Sequence, residues 1–213
     1  MQLPLLADPR VPRALGEGAW LLPGLALDAA PQLLADVAVV AALSPWRHMH
    51  TPGGFRMSVA MTNCGAVGWV TDARGYRYTE VDPTTGRAWP AMPASLLDLA
   101  VRAAERAGFS GFAPDACLVN RYAVGARMTL HQDKNERDFA APIVSVSLGL
   151  PATFLFGGET RAVRPARVPL VHGDVVVWGG PARLRFHGVL PVADGHHARV
   201  GAARINLTFR RGR

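Results

Sequence analysis

Lysine is almost absent from this chain. Of 213 residues only Lys134 is one, although lysine and arginine together number 23 against 16 acids. The net charge of +7 is therefore carried by arginine, whose planar guanidinium meets carboxylates and phosphates through paired hydrogen bonds. A basic surface concentrates polyanions, and phosphate backbones are the commonest of these. A codon bias towards arginine would give the same count, so charge alone does not decide the partner. Cysteine is scarce too: Cys64 and Cys117 cannot build a disulfide framework, and nothing argues for secretion. No apolar run is long enough to span a bilayer, since the longest, around Leu33 to Leu43, is broken by Asp36. The N-terminus carries Asp8 and several prolines but no basic flank before a clean apolar run, which argues against a signal peptide. Repeats and low-complexity linkers are also missing. What remains is a 49% hydrophobic chain of one-domain length, expected to be a cytoplasmic monomer without membrane contact.

Two helices are legible. Asp28 is the expected N-cap of the first, with Pro31 in its first turn and Ser44-Pro45 ending it after Leu43. The second should run from Pro93 or Ala94 to Ala107. Its expected apolar stripe is Leu96, Leu97, Ala100, Val101 and Ala104, and Gly108 follows as its C-terminal glycine. The stretch from about 46 to 89 is rich in glycine and aromatics and reads as short strands and loops. Beyond Cys117, β-type runs separated by glycine and proline turns fall at 117–122, 127–131, 143–149, 153–156, 167–171, 174–178, 183–187 and 204–210. So many short strands predict a jelly roll or barrel.

The chemistry centres on His131-Gln132-Asp133, with His187 much later. Two histidines and one carboxylate are the ligand set of a mononuclear non-haem iron site with open positions; zinc favours a closed four-coordinate site. Residues two apart on a strand point to one side, so His131 and Asp133 can reach the same ion. The same alternation places Arg204, Asn206, Thr208 and Arg210 on one face of the 204–210 run and Ile205, Leu207 and Phe209 on the other. Two arginines on an interior face require an anion, because unpaired buried charge is costly. The combination predicts an iron enzyme with a carboxylate co-substrate.

Several motifs, in this order, resemble one family: Thr51-Pro52-Gly53-Gly54, Met57 to Gly65, Trp89 to Pro93, Pro114 to Cys117, Asn120-Arg121-Tyr122, Leu130 to Lys134, Ala141 to Pro151, His172 to Gly180 and Asn206 to Arg210. The chain is similar to the AlkB family of Fe(II)- and 2-oxoglutarate-dependent nucleic-acid dealkylases. The resemblance implies a double-stranded β-helix, mainly β with flanking helices, in a single domain over 1–213 that includes a nucleotide-recognition lid at about 46–89. It implies His131, Asp133 and His187 as iron ligands and catalytic residues. It assigns 2-oxoglutarate to Asn120, Tyr122, Arg204, Asn206 and Arg210, with dioxygen as the other co-substrate. Arg204 is expected to clamp the distal carboxylate. Arg210, about 20 Å further along an extended strand, is expected to serve the metal-proximal end.

For substrate, the resemblance points to oxidative removal of alkyl groups from bases such as N1-methyladenine and N3-methylcytosine, releasing formaldehyde. Single-stranded DNA is the expected partner, with duplex DNA or RNA as alternatives. Reaching such a carbon requires a flipped base held between flat groups. Trp69 is expected to stack on it opposite His131. Tyr76, Arg77, Tyr78 and Arg161 are expected to contact base edge or phosphate. Thr51, Met57, Ser58, Arg127, Gln132 and Lys134 are backbone-contact candidates. Asn135 stands where many relatives carry an acid, which predicts a shifted lesion preference, with Glu136 beside it in partial compensation. The competing readings are an oxygenase acting on a protein or small molecule, and a silent nucleic-acid-binding module.

Overall fold

The computed structural model describes residues 11–213, so Asp8 and its neighbours lie outside the described residues. The elements, in order, are β1 (Arg13–Gly16), β2 (Ala19–Leu22), α1 (Ala30–Leu43), β3 (Ala60–Gly65), β4 (Gly68–Asp72), β5 (Gly75–Thr79) and α2 (Ala94–Arg106). They continue with β6 (Ala116–Ala123), β7 (Met128–His131), β8 (Ile143–Gly149), β9 (Ala152–Phe156), β10 (Ala166–Leu170) and β11 (Val175–Trp178). A short 3-10 turn (Gly180–Ala182), β12 (His187–Val189) and β13 (Ala203–Arg210) complete the chain. The major sheet runs β1-β2-β11-β8-β13-β6-β3 and the minor sheet β10-β9-β12-β7, with β4 and β5 as a separate hairpin. This is the expected jelly roll with flanking helices.

Strand alternation sorts the major sheet into two apolar layers. Val144, Val146, Leu148, Ile205, Leu207 and Phe209 face outward and bury the helices through Leu33, Val37, Val40, Leu96 and Leu99. Each such side chain contributes about 1.5–3 kcal/mol on burial. Ile143, Val176, Trp178 and Leu118 face inward, against Phe154, Phe156, Val168 and Leu170 of the minor sheet. The inward positions of β13, β6 and β8 that are not apolar become the site.

Four readings of the sequence need correction. The expected 183–187 strand is displaced: β12 begins at His187, and residues up to Arg185 form successive turns after Gly180-Pro181. Proline lacks a ladder donor there, and Arg183 turns inward with only 2% exposure. Asp28 does not cap α1. The chain enters through turns at Leu27 and Ala30, and Ala29 occupies the cap position without a side-chain bond. In α2, Leu99 and Ala103 are buried, whereas Leu97 is exposed and lines a surface groove with Val101. Finally, β1 and β2 were unforeseen; they form a hairpin that extends the major sheet beside β11.

The 46–89 stretch is divided by β3, whose Met61 and Cys64 are fully buried and which pairs along β6. On either side of it lie a loop over 47–58 and the β4–β5 hairpin. Asp82 ties the two flanks together. Its carboxylate accepts from Ser44 Oγ at 2.7 Å, Arg47 Nη2 at 2.7 Å and Thr84 N at 2.8 Å, and is wholly buried. Burial opposes its charge, but Arg47 and Ser44 outweigh this and hold the carboxyl well below its ordinary value. Breaking such a pair leaves buried charge uncompensated, so Asp82→Asn should cost about 2–3 kcal/mol at pH 7. A lowered carboxylate pKa stabilises above the unfolded value of 3.8, and that contribution is lost as pH falls through the folded value. Urea unfolding at pH 7 and at successively lower pH should show the gap between wild type and variant closing below about pH 4.

Candidate active site

The polar face of β13 lies inside the jelly roll. Arg204, Asn206, Thr208 and Arg210 line one cavity, joined by Asn120 and Tyr122 of β6 and Ser145 of β8. Arg204 is 1% exposed. Its Nη2 donates to Ser147 Oγ at 2.8 Å, and its guanidinium lies 5.0 Å from the Tyr122 ring centroid. Its Nε and Nη1 have no partner. Burial pushes its pKa down, opposed by Tyr122. A buried arginine with two idle donors is built for a bidentate anion. Asn206 is fully engaged: Nδ2 donates to Ser145 Oγ and Val146 O, and Oδ1 accepts from Asn120 Nδ2 and Thr208 Oγ1.

The three metal-ligand candidates converge. His131 at the end of β7 and His187 at the start of β12 are cross-strand partners, with ring centroids 4.4 Å apart. Asp133 follows on the loop, and one ligand atom from each of the three lies within 4.8 Å of the others. His131 Nδ1 is 2.8 Å from Thr129 O, and His187 Nδ1 is 3.0 Å from Arg185 O. Carbonyls accept only, so each Nδ1 carries the proton and each Nε2 offers a lone pair. Those Nε2 atoms stand 3.7 and 3.6 Å from the Asp133 oxygens, too far to hydrogen-bond. Asp133 Oδ2 is buried without a hydrogen bond, although Arg210 Nη2 pairs with it at 2.6 Å. Burial opposes the carboxylate charge, but Arg210 and the histidines outweigh it and hold its pKa well below the ordinary range. Burial in the cavity wall and His187 push His131 down to about 4. The His131 ring is thus kept neutral and the carboxylate ionised, which suits a divalent cation with N/O ligands.

The cavity is about 390 Å³. Its mouth carries Thr51, Met57, Trp69, Tyr76, Asn135 and Arg161, with Gln132 and Lys134 also in its wall. Trp69 and Tyr76 stack, centroids 5.7 Å apart. Trp69 Nε1 donates to Asn135 Oδ1 at 3.2 Å. Arg161 lies over the Phe186 ring at 5.0 Å. Other expected contacts are not in the lining. Arg77 pairs with Asp72 of its own hairpin at 2.7 Å. Ser58 exchanges hydrogen bonds with the backbone of Arg127. Tyr78 turns beneath the hairpin and donates to Glu136 Oε1 at 2.5 Å.

Glu136 itself is buried against Arg183 and faces away from any compensating role at the cavity. Arg183, Phe154, Phe186 and Trp178 were missed as site neighbours. The first three gave only the signal of sitting between motifs, and Trp178 reads as core until its ring is seen 4.9 Å from His187.

The idle donors of Arg204 generate a prediction. Replacing a buried charge that has no ion partner with an apolar side chain removes its desolvation cost. Arg204→Met should therefore leave the ligand-free protein at least as stable as wild type. It should also abolish the rise in melting temperature that 2-oxoglutarate gives the wild type in the presence of Mn(II). Thermal unfolding with and without 2-oxoglutarate measures both effects.

Comparison with known proteins agrees with this geometry. The family model "2OG-Fe(II) oxygenase superfamily" matches residues 18–210. The chain is 56% identical over 196 residues to the alpha-ketoglutarate-dependent dioxygenase AlkB of Escherichia coli, covering 92% of this chain and 91% of that protein. It is 47% identical over 201 residues to the AlkB homolog of Caulobacter vibrioides, covering 93% and 88%. Among solved structures, OsALKBH1 superposes with a TM-score of 0.83 at 27% identity, covering 94% of this chain and all of that one. With a family model spanning its jelly roll and an intact ligand set at its centre, the chain belongs to the 2OG-Fe(II) oxygenase superfamily and is an Fe(II)- and 2-oxoglutarate-dependent dioxygenase of the AlkB type.

Proposed function

We propose that this enzyme removes alkyl groups from the ring nitrogens of nucleic-acid bases such as N1-methyladenine and N3-methylcytosine, acting on single-stranded DNA, with RNA as a further substrate. The observation that carries the reading is that one cavity holds both the metal triad and the stacked Trp69–Tyr76 pair. A flat π-face at the mouth of an oxidising site suits a flipped base. Two relatives support the substrate class: a Schizosaccharomyces pombe protein described as a tRNA demethylase is 33% identical over 122 residues, and an Arabidopsis thaliana DNA N(6)-methyladenine demethylase is 41% identical over 109. The chain covers 40% and 24% of those proteins. We take the active unit to be one chain, whose own residues bring the metal triad and the Trp69–Tyr76 pair to one cavity. We place its action in the cytoplasm. No helix among the described residues is long and apolar enough to cross a membrane.

The residues present fit the cofactors. His131, Asp133 and His187 would hold Fe(II) through two Nε2 atoms and one carboxylate. Arg204, with Tyr122 beside it, would take the distal carboxylate of 2-oxoglutarate. Asn120, Asn206 and Arg210 lie along the same face. When bound, the iron and 2-oxoglutarate supply the dioxygen-dependent oxidation of an otherwise inert C–H bond. The protein's part is placement. Trp69 and Tyr76 present stacking surface to the base, and Arg161 and Lys134 offer positive charge at the mouth for phosphate. The apolar wall of Phe154, Trp178 and Phe186 keeps bulk water from the reacting carbon. Hydroxylation of the N-alkyl carbon gives a hemiaminal that collapses to formaldehyde and the restored base.

The test is formaldehyde release and mass loss from methylated oligonucleotides, omitting Fe(II), 2-oxoglutarate or oxygen in turn. Repair needing all three, and lost in Asp133→Ala, is the expected result. Succinate without base repair would transfer the activity to another substrate. Stacking contributes about 1–3 kcal/mol per base, so Trp69→Ala should raise the oligonucleotide KM about 10- to 100-fold while leaving that for 2-oxoglutarate unchanged. Position 135 should govern lesion choice. Asn135 puts a neutral amide at the mouth, and Glu136 is buried elsewhere, so a cationic base meets no free carboxylate there. Asn135→Asp is expected to raise the rates on cationic N1-methyladenine and N3-methylcytosine unequally. Equal rates on both lesions before and after the change would refute a role in selection.

A further inference from the structure

Glu136 is a buried acid three residues beyond Asp133, and nothing in the reaction so far uses it. Its side chain is 1% exposed. Arg183 Nη2 donates to its Oε2 at 3.1 Å, and Tyr78 Oη donates to its Oε1 at 2.5 Å. Arg210 Nε is 3.7 Å from the same Oε1, while Arg210 Nη2 pairs with Asp133 Oδ2 at 2.6 Å. Arg183 also grips the loop itself, donating through Nη1 to Asp133 O at 2.7 Å and through Nε to Ala141 O at 3.1 Å. Glu136 is therefore fixed to the metal-bearing loop on one side, and its remaining strong bond goes to a different element.

That element is the β4–β5 hairpin. Tyr78 is the register partner of Trp69, so the two side chains share one face with Tyr76. Tyr76 and Trp69 reach the cavity; Tyr78 does not, because its hydroxyl is committed to Glu136. The ring is supported from behind, where a side chain at Gly212 would fall 2.9 Å from Tyr78 Cδ1. Burial pushes the phenol pKa well up, so it remains a donor throughout the working range. The second link between hairpin and loop, Trp69 to Asn135, is longer, and Asn135 is exposed. A short hydrogen bond to a buried ionised group is the stronger of the two.

We infer that Glu136 and Tyr78 are positioning residues that fasten the base-stacking hairpin to the metal loop, so that the Trp69–Tyr76 platform stands at a fixed place over the iron ligands. The consequence for turnover rests on the nucleic-acid reading above; the mechanical link does not. Removing one hydroxyl is the mildest probe. In Tyr78→Phe, amide hydrogen exchange across 68–79 should accelerate about tenfold or more, as expected for losing a hydrogen bond to a charged group, while exchange in β8 and β13 stays at the wild-type rate. KM for the methylated oligonucleotide should rise about tenfold. KM for 2-oxoglutarate should hold, and more succinate should form per base repaired. Glu136→Gln retains an oxygen acceptor for the phenol, so hairpin protection should be largely kept.

Unchanged exchange in the hairpin of Tyr78→Phe would overturn the inference. So would acceleration spread equally over β8 and β13, which would mean a general loss of stability. If the wild type repaired no methylated base at all, the proposed substrate would fall, yet the exchange experiment would still decide whether the hairpin is fastened through Glu136.

Discussion

Four buried charges hold the site together. Arg210 lies between Asp133 and Glu136, and Arg183 reaches Glu136 and the backbone of Asp133. Two cations and two carboxylates cancel, which is the condition under which ions can be buried at modest cost. The arrangement also orders the site by distance from the metal. Asp133 belongs to both the ion cluster and the ligand set, so the carboxylate offered to the iron is kept ionised by Arg210. Arg210 in turn is held charged, against its burial, by Asp133, Tyr78 and Glu136. Removing any one member would leave an uncompensated charge in a protein interior.

The alternation of β13 does the rest. Its odd-numbered apolar residues join the helix-facing layer, and its even-numbered polar residues face the other sheet. A central strand hydrogen-bonded on both sides has no freedom to shift register without driving Arg204 and Arg210 into the helix layer. The same strand therefore fixes the core and sets the spacing between the carboxylate clamp at one end and the metal-side arginine at the other. Burial of Arg204 with idle donors costs stability in the absence of ligand. An anion that pairs with the idle donors would offset that cost.

The parts of the site that follow from local pattern were legible in the sequence. The two faces of 204–210 need only period two, and the His131-x-Asp133 spacing pointed to the right pair although Asp133 lies on the loop after β7 rather than on a pleated strand. The strands 143–149 and 204–210 stood out because both neighbours of a central strand must be apolar on the helix side. Elements whose reason is remote were not legible. The β1–β2 hairpin is two four-residue runs around Gly16-Glu17-Gly18, where Gly16 and Gly18 have positive φ; it is stabilised by β11, over 150 residues later. β12 starts late because Arg183 is drawn inward to Glu136, a pairing that no spacing announces. Tyr78 looked like a ligand contact because the family resemblance extends over its Tyr-x-Tyr segment, yet one ring reaches the cavity and the other reaches beneath it. Sequence separates the faces of a strand; depth along a face depends on what lies opposite.

Charge finally separates the inside of the cavity from its mouth. Among the described residues Asp133 is the only acid that lines it, whereas Lys134, Arg161, Arg204 and Arg210 all do. Arg210 is already paired and Arg204 is buried towards Ser147, so neither is available to a polymer at the surface. Lys134 and Arg161 are exposed and, among the described residues, have no carboxylate within ion-pair distance. The single lysine of the chain thus stands directly beside the metal ligand Asp133, at the rim. An ammonium on a flexible stem can follow an anion whose position varies, whereas the guanidinium of Arg210 is already held by Asp133. Inside, Arg204 and Arg210 face the cavity from buried positions; at the rim, Lys134 and Arg161 leave their charge exposed.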